Sequence, residues 1–320
     1  MIGPLLSRLA APALAAPMFL VSGPDLVIAT SRAGLLGTFP ALNQRTSDGF
    51  EDWLKQIRRA LHDGDAPFGV NLTPHRTNPR AQADIALAIR YQVPVIITTL
   101  GVDRALVDAV HGYGGLVFHD AISVRHAVKA IAAGVDGVIA VCAGAGGHAG
   151  TANPFAFAAE LLPQMRGAAL ILSGGISSGA GIAGAIAAGA DMAALGTCFI
   201  ATEESMAADG HKQMICDAAL SDIVYTDRIS GMPASFLAPS LAPFGILDAP
   251  AGAAPVAPQT FNVGEEITPR LWRDFWSAGQ SVGGVTQVVP VGALCRSLVA
   301  EYHAAVWRLT RMATMVSEPA

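Results

Sequence analysis

The chain is poor in charge: Asp, Glu, Lys and Arg make up only 14% of its 320 residues. Twenty Lys and Arg stand against 25 Asp and Glu, a formal net charge of -5, and the basic residues are scattered. Nucleic-acid binders gather Lys and Arg into a stripe or patch, so nucleic acid is excluded as a partner. Cysteine is scarce too. Cys142, Cys198, Cys216 and Cys295 form no C-x-x-C pair, and no His-rich motif accompanies them. Neither a zinc site nor a disulfide framework is expected, and reduced thiols in the cytoplasm are the simpler reading. Long hydrophobic runs are missing: no stretch reaches the ~18 to 20 uninterrupted apolar residues of a membrane span, so no membrane association is expected. Arg8 with Leu9 to Ala16, including Ala13-x-Ala15, imitates a secretory signal. Pro12 and Pro17 interrupt it, and cleavage there would remove the start of the first strand, so the segment is read as part of the fold.

What the chain does have is apolar residues, 52% of the total, and 34 glycines. That suits a large core with many tight turns. From Ala15 to Thr202 short apolar runs alternate with helical patterns. The runs are Ala15–Val21, Gly34–Pro40, Phe68–Thr73, Val93–Leu100, Leu116–His119, Val135–Cys142, Ala168–Ser173 and Ala190–Leu195. Continuous apolar runs suit strands buried on both faces of a parallel sheet. Helical spacing appears over Glu51–Leu61, Arg80–Tyr91 and Ser123–Ala133, the last with Ser123 as N-cap and Gly134 as its stop. Ala132-Ala133-Gly134-Val135-Asp136 is echoed by Ala187-Ala188-Gly189-Ala190-Asp191, read as helix-to-strand punctuation. A strand followed by a helix, eight times, predicts an α/β fold of the (β/α)8 TIM-barrel type.

After Glu204 the rhythm stops. Residues from about Ser205 to Val289 read as a smaller second domain over the barrel top. In it, Asp222–Tyr225 is a short strand, Ala249–Pro258 a surface loop, and Pro269–Ser277 a helix with an aromatic face. Gly292–Met312 reads as a return to the barrel as its last outer helix. The barrel thus spans 1–204 plus about 290–320.

A barrel places its active site at the C-terminal ends of its strands. After the seventh run stands Ser173-Gly174-Gly175-Ile176, and after the eighth Gly196-Thr197. Glycines admit a ligand close to the backbone and let successive amides cradle a phosphate. The helix after the seventh run would add its N-terminal dipole. Gly179-x-Gly181-x-x-Gly184 matches the dinucleotide fingerprint, but Asp191 comes too early for the acidic partner and starts its strand. Those glycines are read as packing residues.

After the sixth run, Gly144-Ala145-Gly146-Gly147-His148-Ala149-Gly150 carries a single ionisable group between glycines. Histidine suits acid–base work near neutral pH or an anion's counter-charge; the alternative is a structural role. His119 is the second candidate, and His126 reads as a surface residue. Met18, in Ala16-Pro17-Met18, either packs on a ring face or fills core. Asn71 is an amide in an apolar strand and needs partners, whether ligand, water or backbone.

At these residues the chain resembles the nitronate monooxygenases, formerly called 2-nitropropane dioxygenases. The matching pieces are Ala16-Pro17-Met18, Gly69-Val70-Asn71-Leu72, Gly146-Gly147-His148-Ala149-Gly150, Ser173-Gly174-Gly175-Ile176, Gly196-Thr197 and Gly279-Gln280. The resemblance implies FMN held non-covalently, and oxidation of alkyl nitronates, with neutral nitroalkanes as a further substrate class, by O₂ to a carbonyl compound and nitrite. It implies His148 as the catalytic histidine. It places Ser173, Gly174, Gly175, Gly196 and Thr197 at the phosphate, Ala16, Pro17, Met18, Asn71 and Gly146 along the ring and ribityl chain, and Gln280 as a flavin contact. In the family's mechanism a protonated His148 guides the anionic nitronate, or a neutral one removes the α-proton. Asp120 stands where some relatives carry Lys. A homodimer is the oligomeric expectation. The competing reading is an FMN-dependent enoyl-thioester reductase using NAD(P)H.

Overall fold

The computed structural model describes residues 2–248, 254–256 and 272–315. Its strands in chain order are β1 (Ala13–Ala15), β2 (Gly37–Pro40), β3 (Phe68–Leu72), β4 (Val95–Thr98), β5 (Leu116–Ala121), β6 (Gly137–Val141), β7 (Gly147–His148), β8 (Ala169–Ser173), β9 (Met192–Leu195), β10 (Ile223–Thr226) and β11 (Ala234–Leu237). Eight of them form one parallel sheet in the order β1-β9-β8-β6-β5-β4-β3-β2. A parallel bridge between Leu14 and Leu36 joins its ends and closes the barrel. This is the expected (β/α)8 architecture.

Closure sorts side chains by the two-residue strand period. Leu14, Val95, Ile97, Phe118, Ile139, Ile171, Met192 and Ala194 point inward and form a core inside the barrel, joined by Ile2 and Leu5 from the N-terminal turn. Their neighbours Ile96, Val138, Leu170 and Ala193 point outward into the second core, beneath the helices. Both faces are apolar, so the strands appear in sequence as unbroken runs.

The first strand lies earlier than the sequence suggests. It ends at Ala15, and Ala16–Val21 is a loop. Pro17 has no amide to give a ladder. The chain instead turns through Leu20 at φ +60°, with the Ser22 amide on the Met18 carbonyl and the Met18 amide on Ser22 Oγ, both 3.0 Å. The punctuation motif has a physical basis. Gly134 and Gly189 adopt φ +93° and +97°. The carboxylates of Asp136 and Asp191 then accept the Val117 and Leu170 amides of the neighbouring strands, each at 2.8 Å.

The last helix, Val291–Met315, packs on the helix Gly179–Ala187. Gly179 is a packing glycine: an added Cβ would lie 2.2 Å from the Leu298 carbonyl oxygen and the Tyr302 nitrogen. Gly184 is not, since nothing stands within 4 Å of its Cβ position. The expected helix over Pro269–Ser277 is absent among the described residues: Trp272–Phe275 form turns, and Trp272 takes φ +65°. Residues 269–271 lie outside the described residues, as does most of 249–258. Within the latter, the Val256 amide donates to the Arg228 carbonyl at 3.1 Å. All four cysteines are free thiols. No described helix is long and apolar enough to cross a membrane.

Candidate active site

A cavity of about 1560 Å³ opens at the C-terminal ends of the barrel strands. Ala16, Pro17, Met18, Asn71, Gly146, His148, Ser173, Gly174, Gly175, Gly196 and Thr197 all line it. His119 and His126 do as well, so His126, though exposed, belongs to the cavity rim. Gln280 does not. It is exposed, its amide donates to the Gly144 carbonyl at 2.8 Å, and its side chain covers Gly144. Its neighbours Ala278 and Ser281 face the cavity instead.

The His148 loop is held in place by the later part of the chain. β7 pairs antiparallel with β11, Gly147 opposite Ser235 and His148 opposite Ala234, and β11 pairs with β10. Ser277 Oγ accepts the Gly147 amide at 2.6 Å and donates to the Ser235 carbonyl at 2.8 Å. Tyr225 Oη donates to the Ala149 carbonyl at 2.7 Å. Glycine is required at 146, where a Cβ would sit 2.9 Å from the Ala278 carbonyl carbon.

His148 itself is half-buried. Its ring meets the edge of Trp272 at 5.2 Å, and Trp272 stacks on Phe236. Burial pushes its imidazole below the ordinary histidine range, favouring the neutral form. Its Nε2 lies 3.2 Å from Ser230 Oγ. Ser230 has one hydroxyl hydrogen and gives it to the Met232 carbonyl at 2.8 Å. Ser230 Oγ therefore accepts from His148, which places the proton of the neutral ring on Nε2 and leaves Nδ1 as the basic atom.

Opposite, Asn71 Nδ2 donates to Thr99 Oγ1 at 2.6 Å and to the Ile97 carbonyl at 3.4 Å. Thr99 in turn donates to Asp120 Oδ2 at 2.7 Å. With both amide hydrogens placed, Asn71 has only its Oδ1 to offer a ligand. Burial raises the Asp120 carboxyl to about 6. Burial first, then the positive charges of His126 and Lys129, lowers His119 to about 4, so His119 is neutral and bound through Nδ1 to Thr98 Oγ1 at 2.8 Å.

The glycine cradle is built as the strand ends require. Gly174 and Gly175 turn at φ +121° and +72°, a region that side chains disfavour. A Cβ on Gly174 would meet the Ala143 carbonyl at 2.7 Å. The following helix, Gly179–Ala187, has little amide capacity left for a ligand at its start. Its first amides are taken, Gly179 by the Glu301 carboxylate at 2.9 Å and Gly181 by Ser178 Oγ at 3.0 Å. The short helix Thr197–Ile200, directly after β9, also stands at the cavity. Thr99 was within reach of sequence reasoning, since it directly follows β4 at the catalytic end. Ser230 and Ser277 were not, because only the pairing of β7 with β11 brings them to the loop.

Comparison with known proteins shows the family. The family model for nitronate monooxygenase matches residues 5–301. A nitronate monooxygenase of Paraburkholderia phytofirmans is 28% identical, with 90% of this chain and 89% of that protein covered. A (3aS,4S,5R,7aS)-5-hydroxy-7a-methyl-1-oxo-octahydro-1H-indene-4-carboxyl-CoA dehydrogenase of Mycobacterium tuberculosis is 31% identical over 67% of this chain, a stretch spanning 59% of that relative. The crystal structure of nitroalkane oxidase from Streptomyces ansochromogenes superposes with a TM-score of 0.80 at 28% identity, covering 95% of this chain and 99% of that one. With a closed barrel, a glycine cradle and a histidine loop in one cavity, and with the family match running through all of them, the chain belongs to the nitronate monooxygenase family of flavin-dependent oxidoreductases.

Proposed function

We propose that this enzyme holds FMN and oxidises alkyl nitronates with O₂ to carbonyl compound and nitrite, and that it also accepts neutral nitroalkanes, using His148 as the base. The observation that carries this reading is the state of His148: a desolvated, neutral ring with Nε2–H committed to Ser230 and Nδ1 left basic. A buried cation guiding an anion fits that environment less well than a base.

The residues present fit FMN. Ser173, Gly174 and Gly175 with Gly196 and Thr197 form a cradle without a lysine or arginine, as backbone-held phosphate requires. The Oδ1 of Asn71 offers an acceptor to a ring N–H, and Met18 a soft wall. When bound, the flavin supplies the electron acceptor for the nitronate and the donor for O₂. The chain supplies the rest. His148 Nδ1 takes the α-proton of a nitroalkane, and the C–H bonding pair stays on the substrate as nitronate. Trp272, backed by Phe236, packs against the His148 ring and limits water there. Ser230 acts as a positioning residue by fixing the tautomer.

The function is tested by oxygen uptake of the FMN-loaded enzyme with propyl-2-nitronate as the only electron donor. Uptake with nitrite release is expected. No uptake, together with rapid reduction of the flavin by NAD(P)H, would transfer the assignment to enoyl-thioester reduction. That second reading draws support from the thioester substrate named for the Mycobacterium relative. The role of Ser230 is read by ¹⁵N NMR of the histidine ring. Wild-type His148 should show the Nε2–H tautomer and Ser230→Ala a mixture, with nitroalkane turnover reduced about tenfold and restored in Ser230→Thr. An unchanged tautomer in Ser230→Ala would remove the role.

A further inference from the structure

The cavity is larger than a flavin and a small nitronate need. Its roughly 1560 Å³ exceeds the ~300–1,000 Å³ of pockets that hold a drug-sized ligand. Its charge also departs from that of the chain. Arg45, Arg80, Arg125, Lys129 and Arg273 line it against one carboxylate, Asp120, whereas the whole chain carries -5. Arg80 is tied to Asp84 at 3.0 Å. The other four lining cations make no ion pair among the described residues.

Arg125 and Lys129 are central to this patch. They stand one turn apart on the helix Val124–Ala132, which Ser123 caps directly beyond β5, and both are exposed. That helix contains no acidic residue, so neither cation has an intrahelical partner. The charge of Lys129 reaches inward, opposing protonation of His119 inside the cavity. Four cations without an ion pair, facing a single carboxylate in one large pocket, suit that pocket to receive several negative charges. A nitronate carries one.

We propose that this rim is a dock for the phosphates of a nucleotide-bearing ligand, an adenosine phosphorylated on both its ribose and its 5′ position, with Arg125 and Lys129 as the principal contacts. Guanidinium and ammonium groups bind phosphate oxygens by charge-assisted hydrogen bonds. Two sources share this chemistry: the nucleotide end of a coenzyme A thioester and that of a phosphorylated pyridine nucleotide. The inference rests on the cavity and its cations, and it holds whichever substrate reduces the flavin.

The test is isothermal titration calorimetry of the flavin-loaded full chain with adenosine 3′,5′-bisphosphate, adenosine 2′,5′-bisphosphate and inorganic phosphate. Binding of a bisphosphate is expected, weakening as salt rises. It should be about tenfold weaker in the Arg125→Ala, Lys129→Ala double variant, as two partly exposed charge contacts allow, and unchanged in Arg59→Ala, outside the cavity. Preference for the 3′ isomer identifies the thioester, and preference for the 2′ isomer the pyridine nucleotide. If the double variant melts early, Arg125→Gln and Lys129→Gln singly take its place. No binding of either bisphosphate, equal binding by the variants, or inorganic phosphate binding as tightly would overturn the proposal. Because binding needs no turnover, its failure is separable from failure of the nitronate assignment.

Discussion

His148→Ala should lower kcat/KM for 2-nitropropane by about 10²- to 10⁴-fold, the usual worth of a positioned general base. Turnover of propyl-2-nitronate should fall much less, because its α-proton is already gone. Flavin content should stay near wild type. The cradle at Gly174, Gly175, Gly196 and Thr197 does not depend on the imidazole, which stands on β7 with β11 and Trp272. The pH profile carries the same signature. Burial holds the His148 pKa below 6.5. The base is lost only as pH falls through that lowered value, so the acid limb of kcat/KM for the neutral substrate should bend below 6.5. It should vanish from the residual activity of the variant. Equal losses on both substrates would mean that His148 serves binding and not proton transfer.

Gly179→Ala and Gly184→Ala should move stability in opposite directions, although both replace a glycine in the same helix. At 179 the new methyl lies 2.2 Å from backbone atoms of Leu298 and Tyr302, which cannot yield as a side-chain end would. The helix Val291–Met315 must shift, and the Gly179 amide loses its bond to Glu301. Overpacking of this kind costs about 1–3 kcal/mol. At 184 the methyl meets open space, and alanine gains about 0.5–1 kcal/mol over glycine in a helix interior. Urea denaturation reads both. The pair also separates packing from ligand binding: if these glycines formed a dinucleotide fingerprint, Gly184→Ala would reduce flavin content, and it should not.

Periodicity and strand-end chemistry made much of the barrel legible in sequence. Unbroken apolar runs such as Val138–Ala140 and Leu170–Leu172 announced strands covered on both faces. Gly134 and Gly189 marked where helices stop, and the rule that ligands bind beyond strand ends picked out Gly174, Gly196 and His148. These are local signals, carried by residues close together in the chain. The first strand was misplaced because Ala16–Val21 is as apolar as a strand, and only the missing Pro17 amide spoke against it. The expected aromatic helix ending at Ser277 failed for a related reason. Trp272, Phe275 and Trp276 have helical spacing, but their burial comes from separate partners, with Trp272 on Phe236 and His148, and Trp276 on His211.

The sequence by itself determined the architecture and the identity of the one histidine set among glycines, because strand burial, turn geometry and backbone access depend on residue type and spacing. Only the tertiary structure decided the state of that histidine. Ser230 lies 82 positions away in the chain, and the pairing of β7 with β11 brings it to Nε2. The same holds for the charge of the cavity: Arg45, Arg125 and Arg273 are far apart along the chain and share one pocket only in the folded barrel. Proton position and electrostatic potential depend on distances in space, and spacing along the chain does not encode those distances.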